Sequence, residues 1–239
     1  MANFRHQIAI KMQPKRFALV VAAGSGLRMG SDTPKQFMEL DGLPVLMRTI
    51  SVFLTLRDIP EVVLVLPEAQ IPTWQRLCKK HHFETNLQIV PGGSTRFESV
   101  KNGLELLPAD DSLVAIHDGV RPLVTHEVVE RCYAMAARGV CAIPVVNPVE
   151  SVMIASGGKF TPFPRNNVLL VQTPQTFRSA TIKHCYNQPY SELFTDDASV
   201  AAACGVELHT VEGNRENIKI TTPADLLTAR VLLQAMKTD

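Results

Sequence analysis

The chain carries almost no net charge: 24 basic and 23 acidic residues leave +1 over 239 positions. That is too little for a global field that would attract nucleic acid or an anionic membrane, so any anion site has to be local. No apolar stretch approaches the roughly 20 residues needed to span a bilayer. Arg5, Lys11, Lys15 and Arg16 precede an apolar run and imitate a secretion signal. The run is only about seven residues, at the bottom of the range for such a signal, and it feeds a glycine loop. Residues 1–14 are expected to be a poorly ordered extension. The five cysteines, Cys78, Cys132, Cys141, Cys185 and Cys204, are odd in number and include no CxxC pair. This argues against a disulfide framework and a zinc site, and a reducing cytoplasm fits best. What is left is an ordinary globular composition, 46% hydrophobic and 20% charged. Residues 15–239 are therefore expected to form a single α/β domain with one sizeable core.

The glycine loop organises the rest. Residues 18–23 are uncharged, read as a fully buried strand, and run into Gly24, Ser25 and Gly26, where backbone without side chains can curl around a ligand. Successive N–H groups in such a turn form a nest for anions. Arg28 and, after Pro34, Lys35 flank it. A P-loop is excluded because no Gly-Lys pair is followed by Ser or Thr, and the spacing at Gly24, Gly26 and Gly30 is GxGxxxG rather than the dinucleotide GxGxxG. The next strand also ends without a carboxylate before Glu68. The plain alternative is a turn that merely ends a strand, with Arg28 and Lys35 as ordinary surface charges.

Downstream, strands and helices alternate at short intervals. A helix is predicted from Pro44 until Asp58, a strand at 62–66, a helix at 74–82 and a strand at 87–90 that ends at Gly92 and Gly93. A helix at 97–107, a strand at 113–116 ending in His117, Asp118 and Gly119, a helix at 127–137 and a strand at 140–146 follow. This order implies right-handed crossovers and a Rossmann-like, mostly parallel sheet with helices on both faces. Ligands of such sheets sit beyond the carboxyl ends of the strands, where the glycine loop, the Gly92–Gly93 turn and the Asp118 turn all fall. Residues 147–172 break the pattern and read as a protruding β-hairpin arm with SGGK at its tip. An isolated hairpin is marginal in water and needs something to pack against. The chain returns as a helix at 178–186, a helix starting in TDDAS, strands at 206–211 and 218–220, and a last helix capped by Thr222 with Pro223 first. His117 reads as a packed strand-end residue rather than a metal ligand, because no second histidine stands at ligand spacing.

AAGSGLRMG followed by PKQF, then HDGVRP, QTPQTF, TDDAS and VEGNRENIKITTP, run in that order from Phe17 to the C-terminus. Together they resemble the 2-C-methyl-D-erythritol 4-phosphate cytidylyltransferases of the isoprenoid pathway. The resemblance implies a nucleotidyltransferase fold and attack of a sugar-alcohol phosphate on the α-phosphorus of CTP, with release of pyrophosphate. An attacking phosphate already carries about −1.5 to −2 charges at neutral pH and needs no general base. The demand is for positioning and charge neutralisation.

By the same resemblance Arg28, Lys35 and Lys219 meet that demand as the catalytic residues. CTP would lie against Ala22, Ala23, Gly24, Gly26, Gly93, Ser94, Ser99 and Asp118, with base choice at the turn of Gly92, Gly93 and Ser94 and at Ser99. Arg121, Arg165, Thr173 and Thr195 would bind the acceptor. Arg165 would be presented to a neighbouring subunit, since the arm at 147–172 is expected to embrace the second copy of a homodimer. Mg²⁺ would bridge phosphate oxygens and keep several waters, needing few protein ligands, with Asp118 beside it. The bland versions are that Asp118 holds a turn, with Arg121 as its ion-pair partner, and that Asp196 and Asp197 are first-turn helix acids. Two positions depart from the family pattern: ESVM at 150–153 lacks a usual lysine, and Glu216 replaces a usual aspartate. A ribitol 5-phosphate cytidylyltransferase remains an alternative, as does a catalytically inactive nucleotide-binding module. Retention of Arg28, Lys35, Asp118 and Lys219 together favours an enzyme.

Overall fold

The computed structural model describes residues 13–24, 33–139 and 141–237. Its elements are β1 (Arg16–Val21), β2 (Glu39–Leu40), β3 (Leu43–Pro44), α1 (Val45–Leu54), β4 (Glu61–Leu66), α2 (Ile71–Lys80), β5 (Gln88–Pro91), α3 (Arg96–Glu105) and β6 (Leu113–Asp118). Then come α4 (His126–Ala137), β7 (Ile143–Val146), β8 (Val152–Ser156), β9 (Lys159–Phe163), β10 (Leu170–Val171), β11 (Gln175–Arg178), α5 (Ser179–Cys185), α6 (Asp197–Ala203), β12 (Thr210–Glu212) and α7 (Pro223–Ala235). The expected extension at 1–14 lies outside the described residues except for Gln13 and Pro14.

The main sheet runs β11-β6-β1-β4-β5, with β1, β4, β5 and β6 parallel and β11 antiparallel at one edge. Successive strand side chains point to opposite faces, and β1 shows why its sequence after Arg16 is an unbroken apolar run. Ala18 and Val20 pack with Ile50 and Phe53 of α1 and with Val129 and Tyr133 of α4. Phe17, Leu19 and Val21 pack on the other face with Val100 and Leu104 of α3 and Ile182 of α5. A strand covered on both faces has no position for a polar residue. The connections leave β1 toward β4 on one side and reach β6 on the other, so the crevice between the ends of β1 and β6 is the switch point where doubly wound sheets hold ligands.

Several expectations need correction. β7 does not extend the main sheet: it pairs with β10 and β12 in a separate three-stranded sheet, linked to β11 by the single bridge Ala142–Thr176. Val140 lies outside the described residues. Pro44 ends β3 and caps α1 instead of opening the helix. The strand predicted at 206–211 is reduced to β12, and 218–220 is not a strand, its order coming from Ile220 N–H donating to Val120 O at 3.0 Å and from burial of Ile220 with Leu40, Val45 and Leu123. The arm is present as the antiparallel pair β8–β9, turning through Gly157 and Gly158 at φ 55° and 75°. Its expected span of 147–172 is too long at one end, because Leu170 and Val171 belong to the small sheet.

Candidate active site

Three loops meet at the carboxyl end of the sheet, held together by backbone bonds beyond the strands proper. Gly119 N–H donates to Val21 O and Gly92 N–H to Leu66 O, both at 2.8 Å. The approach is tight enough to require glycine: a Cβ at Gly119 would stand 2.7 Å from that of Ala22, and one at Gly92 would stand 2.6 Å from that of Ala23. The cavity they enclose, about 280 Å³, is lined by Ala22, Ala23, Gly24 and Lys35, and on the facing side by Gly93, Ser94, Ser99, Asp118 and Lys219. A second cavity of about 200 Å³ contains Arg121, Thr173 and Thr195. Both cavities include Arg96, Asp118 and Lys219, so these three residues form the wall between them.

Asp118 is the electrostatic centre of that wall. Its Oδ2 lies 3.0 Å from Lys219 Nζ and 3.1 Å from Arg121 Nε, and its Oδ1 lies 3.8 Å from Arg96 Nε. Burial alone would push the carboxyl up, but Lys219, Arg96 and Arg121 outweigh it and hold Asp118 well below the usual carboxylate range. The carboxylate is thus ionised, and the cations around it outnumber it. An anion entering from either side meets net positive charge.

Lys219 owes its direction to its neighbours. Ile218 and Ile220 pack into the cluster of α7 and Leu40, and the residue between them faces the opposite way. Asn217, fully buried, steadies the same stretch by donating to Thr173 O at 2.9 Å and by accepting from Arg121 Nη1 on its own carbonyl at 2.8 Å. His117 is packed, as the sequence suggests. It sits edge-on to Phe53, and burial pushes its imidazole down to about 4. A single neutral tautomer satisfies both ring nitrogens: Nε2–H donates to Arg121 O at 3.0 Å, and Nδ1 accepts from the Thr173 hydroxyl at 2.9 Å. Thr173 also accepts from Asp118 N–H at 3.1 Å. Its proton is therefore committed, and its hydroxyl fixes Asp118 beside the smaller cavity, which Thr173 also lines.

The turn at Gly93–Thr95 is similarly self-contained. Ser99 Oγ donates to Thr95 O at 2.8 Å and accepts from Gly93 N–H at 3.1 Å, while the N–H groups of Ser94 and Thr95 both donate to Glu98 Oε2. Thr95 and Glu98 form a capping box that starts α3 at Arg96. The turn is preset before any ligand arrives.

Of the remaining predicted residues, Gly26 and Arg28 lie outside the described residues. Arg165 is in a short 3-10 turn after β9, and its Nη1 donates to Val149 O at 2.8 Å; it lines neither cavity. The departures from the family pattern are peripheral: Met153 is exposed in the arm, and Glu216 accepts from Asn214 at 3.3 Å. Sequence reasoning missed Arg96, which a Thr-x-x-Glu capping signal directly after Gly92 and Gly93 could have placed at the strand end. It also missed Gln36, buried and donating to Ala22 O at 3.2 Å behind the glycine loop. The helix-acid version holds for Asp197 as the first residue of α6, but Asp197 is also fully buried on Arg96; Asp196 is the cap of α6.

A family model described as IspD, 2-C-methyl-D-erythritol 4-phosphate cytidylyltransferase, matches residues 17–235. Relatives with that description include one from Bacteroides thetaiotaomicron, 48% identical over 219 residues covering 92% of this chain and 100% of that protein. Another, from Porphyromonas gingivalis strain W83, is 47% identical over 224 residues, covering 93% and 99%. Among solved structures, the 4-diphosphocytidyl-2C-methyl-D-erythritol synthase of Anaerococcus prevotii superposes with a TM-score of 0.80 at 28% identity, covering 93% of this chain and 97% of that one. The 2-C-methyl-D-erythritol 4-phosphate cytidylyltransferase of Thermus thermophilus gives 0.73 at 30%, covering 92% and 99%.

Proposed function

The chain belongs to the 2-C-methyl-D-erythritol 4-phosphate cytidylyltransferase family, and on that premise we propose how its two cavities divide the reaction. The enzyme transfers a cytidylyl group from CTP to 2-C-methyl-D-erythritol 4-phosphate and releases pyrophosphate, a step toward isoprenoid precursors. The named relatives decide against the ribitol 5-phosphate alternative. CTP occupies the larger cavity, and the acceptor occupies the smaller one between Arg121, Thr173 and Thr195. The observation that supports this division is the shared wall of Arg96, Asp118 and Lys219, with Lys35 on one side and Arg121 on the other giving the positive charge suited to an acceptor phosphate meeting the α-phosphorus. A phosphate oxygen of the acceptor forms the new P–O bond as the bond to the pyrophosphate oxygen breaks. Lys219 and Lys35, with Arg28, neutralise the charge that gathers there.

The committed N–H groups of the Gly93–Thr95 turn bear on base choice. With those donors already paired, the turn presents acceptors, which suit the amino group of cytosine and leave the oxo group of uracil opposed by oxygen. Magnesium fits this donor set as an ion held mainly by substrate phosphates and water. Asp118 Oδ1, the oxygen not taken by Lys219 or Arg121, is the protein oxygen available to it, and no group of three or more acidic, histidine or cysteine side chains able to hold a metal alone occurs among the described residues. When bound, the ion supplies further neutralisation of phosphate charge.

The arm argues for a homodimer. Met153, Ile154 and Phe160 are exposed, Phe160 at 73%, on a hairpin that pairs with no other strand among the described residues. A two-fold partner would cover both arms at once and would bring Arg165 to a neighbouring acceptor cavity. No helix among the described residues is long and apolar enough to cross a membrane, and the unpaired cysteines suit a reducing cytoplasm. Subunit mixing tests the whole arrangement. Lys35→Ala and Arg165→Ala are each expected to lose about 10²-fold in kcat, the cost typical of one preorganised contact. Mixed and allowed to exchange subunits, they should regain activity, because one site of the mixed dimer keeps both residues. An active monomer by sedimentation, or no recovery despite demonstrated exchange, refutes the shared site.

A further inference from the structure

Arg96 is the cation of the shared wall whose charge is answered by a carboxylate outside that wall. Its Nη1 and Nη2 donate to the two oxygens of Asp197 at 2.8 and 2.7 Å, a parallel fork that fixes direction as well as distance. Asp197 is fully buried, and its Oδ1 also accepts from the Tyr186 hydroxyl at 2.6 Å. Burial alone would lower the guanidinium, but Asp197 and then Asp118 outweigh it, so Arg96 stays charged. The ring of Tyr186 stacks on Phe97, the next residue of α3, with centroids 4.7 Å apart, and Phe97 stacks in turn on Phe194 at 5.6 Å. From the other side, Gln175 Nε2 donates to Asp196 Oδ2 at 2.8 Å and its Oε1 accepts from Ala198 N–H at 2.6 Å.

The first turn of α6 is therefore clamped between α3 and β11. The two ends of the Arg96–Asp197 pair do different work: Arg96 follows directly on the turn that lines the larger cavity, and Asp197 follows Thr195, which lines the smaller one. Arg96 lines both cavities, but as half of a neutralised pair it adds little attraction for phosphate.

We propose that the Arg96–Asp197 pair is a positioning device that keys the acceptor cavity to the nucleotide cavity, setting where Thr195 holds the acceptor relative to the phosphorus it attacks. This rests on the assignment of the two cavities made above. Misplacing a reacting group by about an ångström can cost 10²-fold even when nothing that touches substrate has been removed. Lysine at 96 keeps the charge and loses the fork; asparagine at 197 keeps the shape and loses the charge.

Steady-state kinetics of Arg96→Lys and Asp197→Asn, with CTP affinity measured separately by calorimetry, test the proposal on the full-length enzyme. Acceptor kcat/KM is expected to fall about 10²-fold in each, while the Kd for CTP changes less than about threefold. Unchanged acceptor kinetics, or a loss shared equally with CTP affinity as general loosening would produce, overturns it. Should either variant fail to fold, Tyr186→Phe keeps the stacked ring and removes one hydrogen bond. A several-fold loss confined to the acceptor is expected there, and no loss or an equal loss is the overturning result. Thr195→Val separates the two levels of inference. If it leaves acceptor KM unchanged, the cavity assignment is wrong and the proposal falls with it; if it raises acceptor KM while the pair variants do not, the proposal fails alone.

Discussion

Replacing Asp118 by asparagine keeps its shape and removes the charge around which the site is built. At an effective dielectric of about 20, a unit charge 3 Å away is worth about 5 kcal/mol before desolvation. Two cations stand at 3.0 and 3.1 Å and a third at 3.8 Å. Lys219 is 40% exposed, so its share is discounted for solvent, and stripping water from the carboxylate costs several kcal/mol in return. What asparagine leaves behind matters more than the sum: Arg96 keeps Asp197, but the largely buried Arg121 loses its only carboxylate among the described residues. Breaking a buried pair from one side costs about 3–5 kcal/mol, and because asparagine retains one acceptor oxygen we expect the lower end, about 3 kcal/mol. Urea denaturation at pH 7 reads this directly, and kcat should fall about 10²-fold as the cations relax away from the reacting phosphates. The pH dependence has a definite sign. The folded carboxyl is held below its ordinary value, so its contribution is complete above the unfolded value of about 3.9 and is lost only as pH falls below that. The difference between wild type and Asp118→Asn should stay constant from pH 8 to about 5 and shrink under pH 4. A loss below about 1 kcal/mol, or a difference already gone at pH 5.5, would show that Asp118 does not anchor these cations.

Gly92→Ala would place a methyl 2.6 Å from Ala23 Cβ and 3.0 Å from Ser99 Oγ, so the KM for CTP should rise at least about tenfold with acceptor KM unchanged; an unchanged KM for CTP refutes the close approach. His117 is buried neutral, its imidazole lowered to about 4, so the unfolded chain binds more protons than the folded one between that value and about 6.5. Stability from this residue is complete above the unfolded value and lost as pH falls toward the folded one, about 3 kcal/mol in all. Denaturation at pH 7.5 and 4.5 should show a smaller drop for His117→Gln than for wild type, and equal drops would refute it.

The sequence by itself determined what depends on near neighbours. An uncharged run had to be a strand buried on both faces, as β1 is. Thr222 followed by Pro223 had to start a helix, and the Gly157–Gly158 pair had to turn a hairpin; both do so where expected. Since ligands of such a sheet gather beyond its strand ends, even the grouping of Ala22, Gly93, Asp118 and Lys35 around one cavity could be anticipated. Only the tertiary structure decided which charges answer one another. Arg96 and Asp197 are 101 residues apart, and nothing local distinguishes Asp197, buried on that arginine, from Asp196, which caps a helix one position earlier. Thr173, expected as a substrate contact, lines the smaller cavity, and the fold also shares its hydroxyl between Asp118 and His117. Stretch 218–220 has the pattern of a strand, but its isoleucines pack against α7 and it pairs with no strand among the described residues. Backbone preference and capping are settled within a few residues, whereas ion pairing and burial depend on which distant segments the finished fold brings within hydrogen-bond reach.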